Sequence, residues 1–311
     1  MKRHVFILIL ISTLLLSACN TGKNSSISVK NPPSTNVEVK DKVEKPNFTK
    51  DTFPRVDGST ATIPLSQAIA SNLLSMTKEE AVNFIKHNTT HNAYVNLFDK
   101  KADIIFVTEP SKEELNMAKD AKVELEIVPV VKEGFVFLVN TSNPVNSLTT
   151  KQIQNIYGGK IKSWKEVGGE AKDIIAYQRE ANSGSQTLME QLVMKGNKLE
   201  DSPKTIVTGM EGLIESIAKY DNSEKALGYS VFYYAKTMYN KDTIKLLAID
   251  GIAPDNNNIS SGKYPFTTSY YAVLRKSEPK GSNARKLLEW LTGADGQKLA
   301  EATGYVPLEA R

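Results

Sequence analysis

The residues best suited to chemistry lie in Gln178-Arg179-Glu180-Ala181-Asn182-Ser183-Gly184-Ser185-Gln186. One arginine, two serines and a glycine fall together in this stretch. A guanidinium presents a planar fork of donors that matches an oxyanion. Hydroxyls and unpaired backbone N–H groups at a helix start add further donors, and the helix dipole favours negative charge there. Arg179, Ser183, Gly184 and Ser185 are therefore candidates for holding an anion. The same residues also suit a plain helix cap, Ser183-x-x-Gln186.

The neighbouring sequence supplies the elements that would position them. Residues 173–177 form a short apolar run that reads as a buried strand. In 187–196, Leu188, Met189, Leu192 and Val193 share one helical face, and Gly196 suits a C-cap. The stretch between is a strand-to-helix turn. A second small-residue loop, 58–62, precedes Pro64, which fits a first helical turn, and offers the hydroxyls of Ser59, Thr60 and Thr62. A third turn follows the strand pattern of 102–107, with Glu109 in the loop and a capping box at Ser111 and Glu114. If Glu109 is not in a site, it reads as a solvated acid near the first helical turn.

Between these loops, a helix is expected over 78–85, and His87-Asn88-Thr89-Thr90-His91 interrupts the pattern. Two histidines four apart can hold a metal on one helix face, but the Asn and Thr residues between them favour a turn. No metal is expected, and no other cofactor. Further on, 123–131, 134–140, 227–234, 244–249 and 270–274 read as strands. Helices are expected over 148–156, 210–220, 283–291 and 297–300. The alternation predicts an α/β fold with mostly parallel sheets.

The 311 residues carry a formal charge of +4, but unevenly. Lys2 and Arg3 lie in 1–18, and 19–50 holds six Lys against three acids. That leaves 31 basic (39−2−6) and 32 acidic (35−3) residues from 51 to 311, a body of nearly zero charge, which excludes nucleic acid as the main partner. The positive start, the apolar run 5–16 and Leu16-Ser17-Ala18-Cys19 resemble a lipoprotein signal with its lipobox. Cys19 is the only cysteine, so no disulfide forms within the chain. It is the expected lipid attachment point, with 1–18 removed as a signal peptide. Residues 19–50, rich in Asn, Ser, Lys and Pro, read as a flexible tether.

Taken together, the motifs resemble the PstS-like phosphate-binding proteins of phosphate ABC importers, over about 53–308. Residues 57–64 (Asp-Gly-Ser-Thr-Ala-Thr-Ile-Pro) look like that family's first anion loop. Thr90 lies where the family has a second hydroxyl loop. Residues 103–111 are similar to the segment carrying its buried carboxylate, with Glu109 where Asp is usual. Arg179 with Ser183-Gly184-Ser185 matches its Arg-x-x-x-Ser-Gly-Thr/Ser signature. Residues 148–164 and 304–308 are also family-like.

The resemblance implies a two-lobed periplasmic-binding-protein-like fold of type II, with the ligand cleft between lobes. Lobe one would comprise 51–139 and 245–311, and lobe two 140–244. The implied ligand is inorganic phosphate, held by Ser59, Thr60, Thr62, Thr90, Glu109, Arg179, Ser183, Gly184 and Ser185. The implied partners are an ABC permease and ATPase, with the protein a monomer anchored to the outer face of the membrane through Cys19. Another tetrahedral oxyanion, or phosphate sensing without transport, is the alternative. A serine hydrolase fits least: Ser183 lacks the Gly-x-Ser-x-Gly elbow, and His87 and His91 are the only histidines past residue 4. A binding protein, not an enzyme, is expected.

Overall fold

A computed structural model of the chain describes residues 43–201, 205–219 and 224–308. The expected signal segment, Cys19 and most of the tether lie outside the described residues. The last part of the expected tether is packed rather than free. Val43 lies over Gly293, Lys45 Nζ donates to Asn72 O, and Phe48 is buried. Phe48 meets Phe53 edge to face at 5.7 Å, and Phe53 meets Phe84 at 5.8 Å. A buried phenylalanine contributes roughly 1.5–3 kcal/mol, enough to hold this segment against the body.

Strand β3 (Leu125–Asn140) organises the sheet. Two strands are predicted here, because Lys132 and Glu133 break the apolar run, but the chain continues as one strand of 16 residues. Its neighbours change along its length. Residues 125–134 pair antiparallel with β11 (Thr267–Arg275), whereas 135–138 pair with β8 (Ala226–Val231) and 138–140 with β9 (Ile244–Leu246). On the first side, β11 also pairs with β2 (Ile104–Val107), which lies parallel to β1 (Val56–Gly58). On the second side, β8 lies parallel to β5 (Ile175–Ala176). Two small parallel pairs complete the strands: β4 (Ser147–Leu148) with β10 (Ala248–Ile249), and β6 (Gln178–Arg179) with β7 (Ile206–Val207).

The expectation of mostly parallel sheets is therefore corrected. The longest ladders, β3 with β11 and β3 with β8, are antiparallel. They join segments far apart in sequence rather than consecutive strand–helix–strand units, so local alternation carried no information about them.

Helices cover both sides of this sheet. Helix α1 (Ile63–Leu74) follows a tight turn over Thr60–Thr62 and buries Leu65, Ile69 and Leu73 at helical spacing. Helices α2 (Lys78–Phe84) and α4 (Lys112–Asp120) each begin with both bonds of a capping box, through Thr77 with Glu80 and Ser111 with Glu114. Helix α3 (Thr89–Phe98) occupies a stretch read from sequence as a turn. Its start is fixed from outside: Asp57 accepts from Asn88 N at 2.7 Å, Asn88 Nδ2 at 2.9 Å and Asn96 Nδ2 at 2.7 Å.

On the second side, Phe135, Phe137, Tyr157 and Tyr229 pack with ring centroids 5.3–6.3 Å apart. Such aromatic pairs contribute about 0.5–1.5 kcal/mol each beyond area burial. They fix β8 and helix α5 (Thr150–Tyr157) against β3. At the end of the chain, α7 (Asn283–Leu291) and α8 (Ala294–Ala302) bury Leu287, Leu291 and Ala300.

Candidate functional site

The parallel strands β1 and β2 end side by side, with Gly58 opposite Phe106. The loops leaving them build one wall of the site, as expected at the carboxyl ends of parallel strands. A Cβ on Gly58 would come within 2.4 Å of Phe106 O, so only glycine permits this approach. Ser59 N donates to Phe106 O at 3.0 Å. Thr62 Oγ1 donates to the same carbonyl at 2.7 Å and lies 3.2 Å from Ser59 Oγ. Thr62 is fully buried, so it braces the loop from behind, while Thr60 is half-buried at the start of the turn.

Asp57, which the sequence reading passed over, ties this loop to α3 and hence to Thr90, which is 5 % exposed. Its signal was an acid directly before a glycine loop. His87 lies behind the same loop. Its Nδ1 faces Ser59 O at 2.9 Å, so Nδ1 carries the proton, and Nε2 accepts from Ser66 Oγ at 3.1 Å. Burial holds His87 below its ordinary pKa, although the Ser59 carbonyl and Asp57 act the other way. His91 Nδ1 instead meets Glu114 Oε1 at 3.1 Å. His87 precedes α3 whereas His91 lies within it, so the two do not share a helix face. Among the described residues, no hydrogen bond joins either histidine to Ser183.

The second wall is the turn from β6 into helix α6 (Gly184–Leu188), which continues as a wider helical turn over Met189–Met194. Arg179 is 6 % exposed and held at four points. Its N donates to Tyr229 Oη at 2.9 Å and its Nε to Val207 O at 3.0 Å. Its Nη1 donates to Ser185 Oγ at 3.2 Å and its Nη2 to Glu180 Oε1 at 2.8 Å. Burial alone would raise the Glu180 pKa, but the hydrogen bond and charge of Arg179 hold it below the ordinary value. Arg179 thus carries its own counter-charge.

Ser183 caps α6 by accepting from Gln186 N at 3.3 Å. The reciprocal bond of a capping box is not made. Gln186 Oε1 instead accepts from Tyr229 Oη and, at 3.3 Å, from Arg179 N. The glutamine that sequence alone assigned to a cap therefore holds the arginine in place.

The two walls meet at Gly184. A Cβ there would lie 2.8 Å from both Thr90 Oγ1 and Thr108 Oγ1. Asn182 Nδ2 also donates to Glu113 Oε2, and Gln191 Nε2 donates to Pro110 O at 3.1 Å. The start of α6 is thus seated on the hydroxyls at the ends of β2 and α3. The Thr108 hydroxyl is buried and has no hydrogen-bond partner.

Glu109 does not join this group through its contacts. Its Oε1 accepts from Tyr271 Oη at 3.0 Å, towards β11. One oxygen of Glu109 is thus engaged towards β11, while the neighbouring Thr108 hydroxyl lies against Gly184. Successive side chains of an extended segment point to opposite sides, so adjacent residues such as Thr108 and Glu109 meet different neighbours. What converges here is a set of neutral donors beside one charge-balanced guanidinium, an arrangement that can enclose an anion.

In sequence and in fold, the chain is similar to known proteins. Residues 50–295 match the family described as the PBP superfamily domain. A Bacillus subtilis protein named phosphate-binding protein PstS is 28% identical over 176 residues, 56% of this chain and 55% of that one. A Staphylococcus saprophyticus protein of the same name is 25% identical over 263 residues, 81% of this chain and 79% of that one. The match to the Bacillus protein thus spans only about half of its length. Among solved structures, a Clostridium perfringens protein with bound phosphate superposes with a TM-score of 0.65 at 22% identity, covering 84% of this chain and all of that one. An ABC-type phosphate transport receptor from Vibrio cholerae gives 0.60 at 20% identity, covering 81% and 99%. At these identities the likeness to the solved structures is one of fold, a two-lobed binding-protein fold. A strand shared by two sets of neighbours, two walls meeting at a glycine, and a family match over most of the length lead to one assignment: the chain belongs to the PBP superfamily.

Proposed function

We propose that the protein captures inorganic phosphate on the outer face of the cell membrane and delivers it to the permease and ATPase of an ABC importer. The observation that carries this reading is the seating of Gly184 on Thr90 and Thr108, beside the Arg179–Ser185 hydrogen bond. A tetrahedral anion held where these two walls come together, beside rather than between Gly184 and the threonines, would meet hydroxyls, backbone N–H groups and a guanidinium. Charge-assisted hydrogen bonds contribute about 1.5–3 kcal/mol each, so several offset the cost of association and desolvation. The PstS names of its relatives and the phosphate in the Clostridium structure support this ligand.

In this reading Ser59, Thr60, Thr90, Arg179, Ser183, Gly184 and Ser185 hold the anion, and Thr62 braces them. The lobes divide inside β3 near Gly134, where its partners change, and again between Ile249 and Thr267. We place the crossings there rather than at 139/140 and 244/245 on the ground that β9 pairs with residues 138–140. Cys19 carries the lipid anchor, and the protein acts as a monomer. Calorimetric titration of the purified full-length protein with phosphate tests the core of the proposal. One-to-one saturation with a Kd tighter than about 10 μM is expected. Absence of binding up to about 1 mM phosphate would reject it.

A further inference from the structure

We infer that Asn182 with Glu113, and Gln191 with Pro110, form a clasp across the cleft that sets how fast the anion is released. The inference rests on the two-lobed, anion-binding reading, in which Pro110 and Glu113 belong to lobe one and Asn182 and Gln191 to lobe two. Asn182 Nδ2 donates to Glu113 Oε2, and Gln191 Nε2 donates to Pro110 O at 3.1 Å. Both acceptors lie in one stretch, Pro110 in the loop after β2 and Glu113 in the first turn of α4. In sequence the two donors flank Gly184, which packs on Thr90 and Thr108. Neither amide is among the groups assigned to the anion.

Both donors sit in unusual backbone. Asn182 has a φ of 61°, a left-handed conformation that asparagine tolerates better than most residues. Gln191 lies in the wider turn Met189–Met194, where Lys195 N donates to Glu190 O, five residues back, at 3.0 Å. Such turns are rare and gather at functional sites. Gln154 Nε2 donates to Val193 O at 2.8 Å and ties this turn to α5, so the lobe-two half of the clasp is firmly held. A bond that exists only when the lobes are together stabilises the closed state and leaves the open one unchanged. It slows reopening without altering the encounter with the ligand. Because it never touches the ligand, it does not distinguish one tetrahedral anion from another. Glu113 makes the idea decidable. By charge alone, removing this acid from beside the site would favour an anion, whereas removing it as a clasp acceptor speeds release.

The test uses full-length wild type, Glu113→Ala, Asn182→Gly, their double variant and Gln191→Ala, with inorganic phosphate at pH 7. Stopped-flow kinetics give the rates, and competition with arsenate gives selectivity. Glycine is chosen at 182 because it adopts positive φ without steric cost. Each single variant should release phosphate about five- to twentyfold faster, with an association rate within about threefold of wild type. The double variant should release within about twofold of the faster of Glu113→Ala and Asn182→Gly, because all three lack the same bond. The phosphate-to-arsenate affinity ratio should keep its wild-type value throughout. A purely structural role would lower the melting temperature and leave the release rate alone. The inference is overturned if Glu113→Ala releases phosphate no faster than wild type, or if Gln191→Ala does not. Multiplying effects in the double variant would equally overturn it. Should Asn182→Gly fail to fold, Glu113→Ala and Gln191→Ala decide the matter, since both positions are exposed. Failure of wild type to bind phosphate would instead reject the anion-binding reading itself.

Discussion

Glu133 offers the sharpest test of the physical account. It lies in β3 one residue before the strand exchanges β11 for β8, and it is 1 % exposed. Its Oε1 accepts from Gly134 N at 2.8 Å and Tyr233 N at 3.2 Å, while its Oε2 has no partner. Burial pushes its pKa from the ordinary 4.5 to about 8, the backbone N–H bonds opposing it only in part. The folded state therefore binds the proton more tightly than the unfolded state. Its contribution to stability is fully present below about pH 4.5 and is lost as pH rises through about 8. The interval of about 3.5 pH units sets a ceiling of about 5 kcal/mol at 1.36 kcal/mol per unit. Relaxation around the ionised group lowers this, and at least about 2 kcal/mol is expected to remain. Glu133→Gln keeps an oxygen for the two N–H donors and cannot ionise. Denaturant unfolding of both proteins at pH 5 and pH 9 gives the difference directly, with all shared titrations cancelling. The variant should gain on wild type by about 2–5 kcal/mol between the two pH values. A difference that is the same at pH 5 and pH 9 would refute the claim that Glu133 is held protonated by burial.

Three further outcomes follow from the site and the chain start. Arg179→Ala should cost on the order of 2–4 kcal/mol of phosphate affinity, and a loss below threefold in the same titration would put the anion elsewhere. Gly184→Ala places a methyl 2.8 Å from two threonine hydroxyls, so phosphate should bind at least tenfold more weakly and fail to compact the protein in small-angle scattering; wild-type compaction would contradict the seating described. Cys19→Ala should abolish metabolic labelling with a fatty acid, and retained label would rule out that cysteine as the anchor.

Much of the second wall was legible because its chemistry is local. Arg179, Ser183 and Gly184 sit within one strand-to-helix turn, and spacing alone placed them at a helix start. Thr108 was not legible in the same way. Its role depends on which side of a strand end faces a glycine 76 positions later (184−108), and residue type drew attention to Glu109 beside it. The continuity of β3 was hidden because Lys132 and Glu133 are charged. In the fold Glu133 is buried and sheds its charge by holding a proton, so the pattern of polarity misleads there. Helix α3 was missed because Asn88 and Thr89 favour turns by themselves. Asp57, more than thirty residues earlier, supplies the bonds that start the helix. In each case the missing information was a partner distant in sequence.

The pairing of Arg179 with Glu180 has a kinetic consequence. A lone buried guanidinium would project a field into the cleft and draw anions from a distance, at a rate that falls as salt screens it. Here the guanidinium is matched by a carboxylate 2.8 Å away, and the body from 51 to 311 carries 31 basic against 32 acidic residues. An approaching anion meets almost no long-range attraction and is recognised only on contact. Anion capture, if it occurs here, should thus proceed at a rate nearly flat from low ionic strength to roughly physiological salt and above.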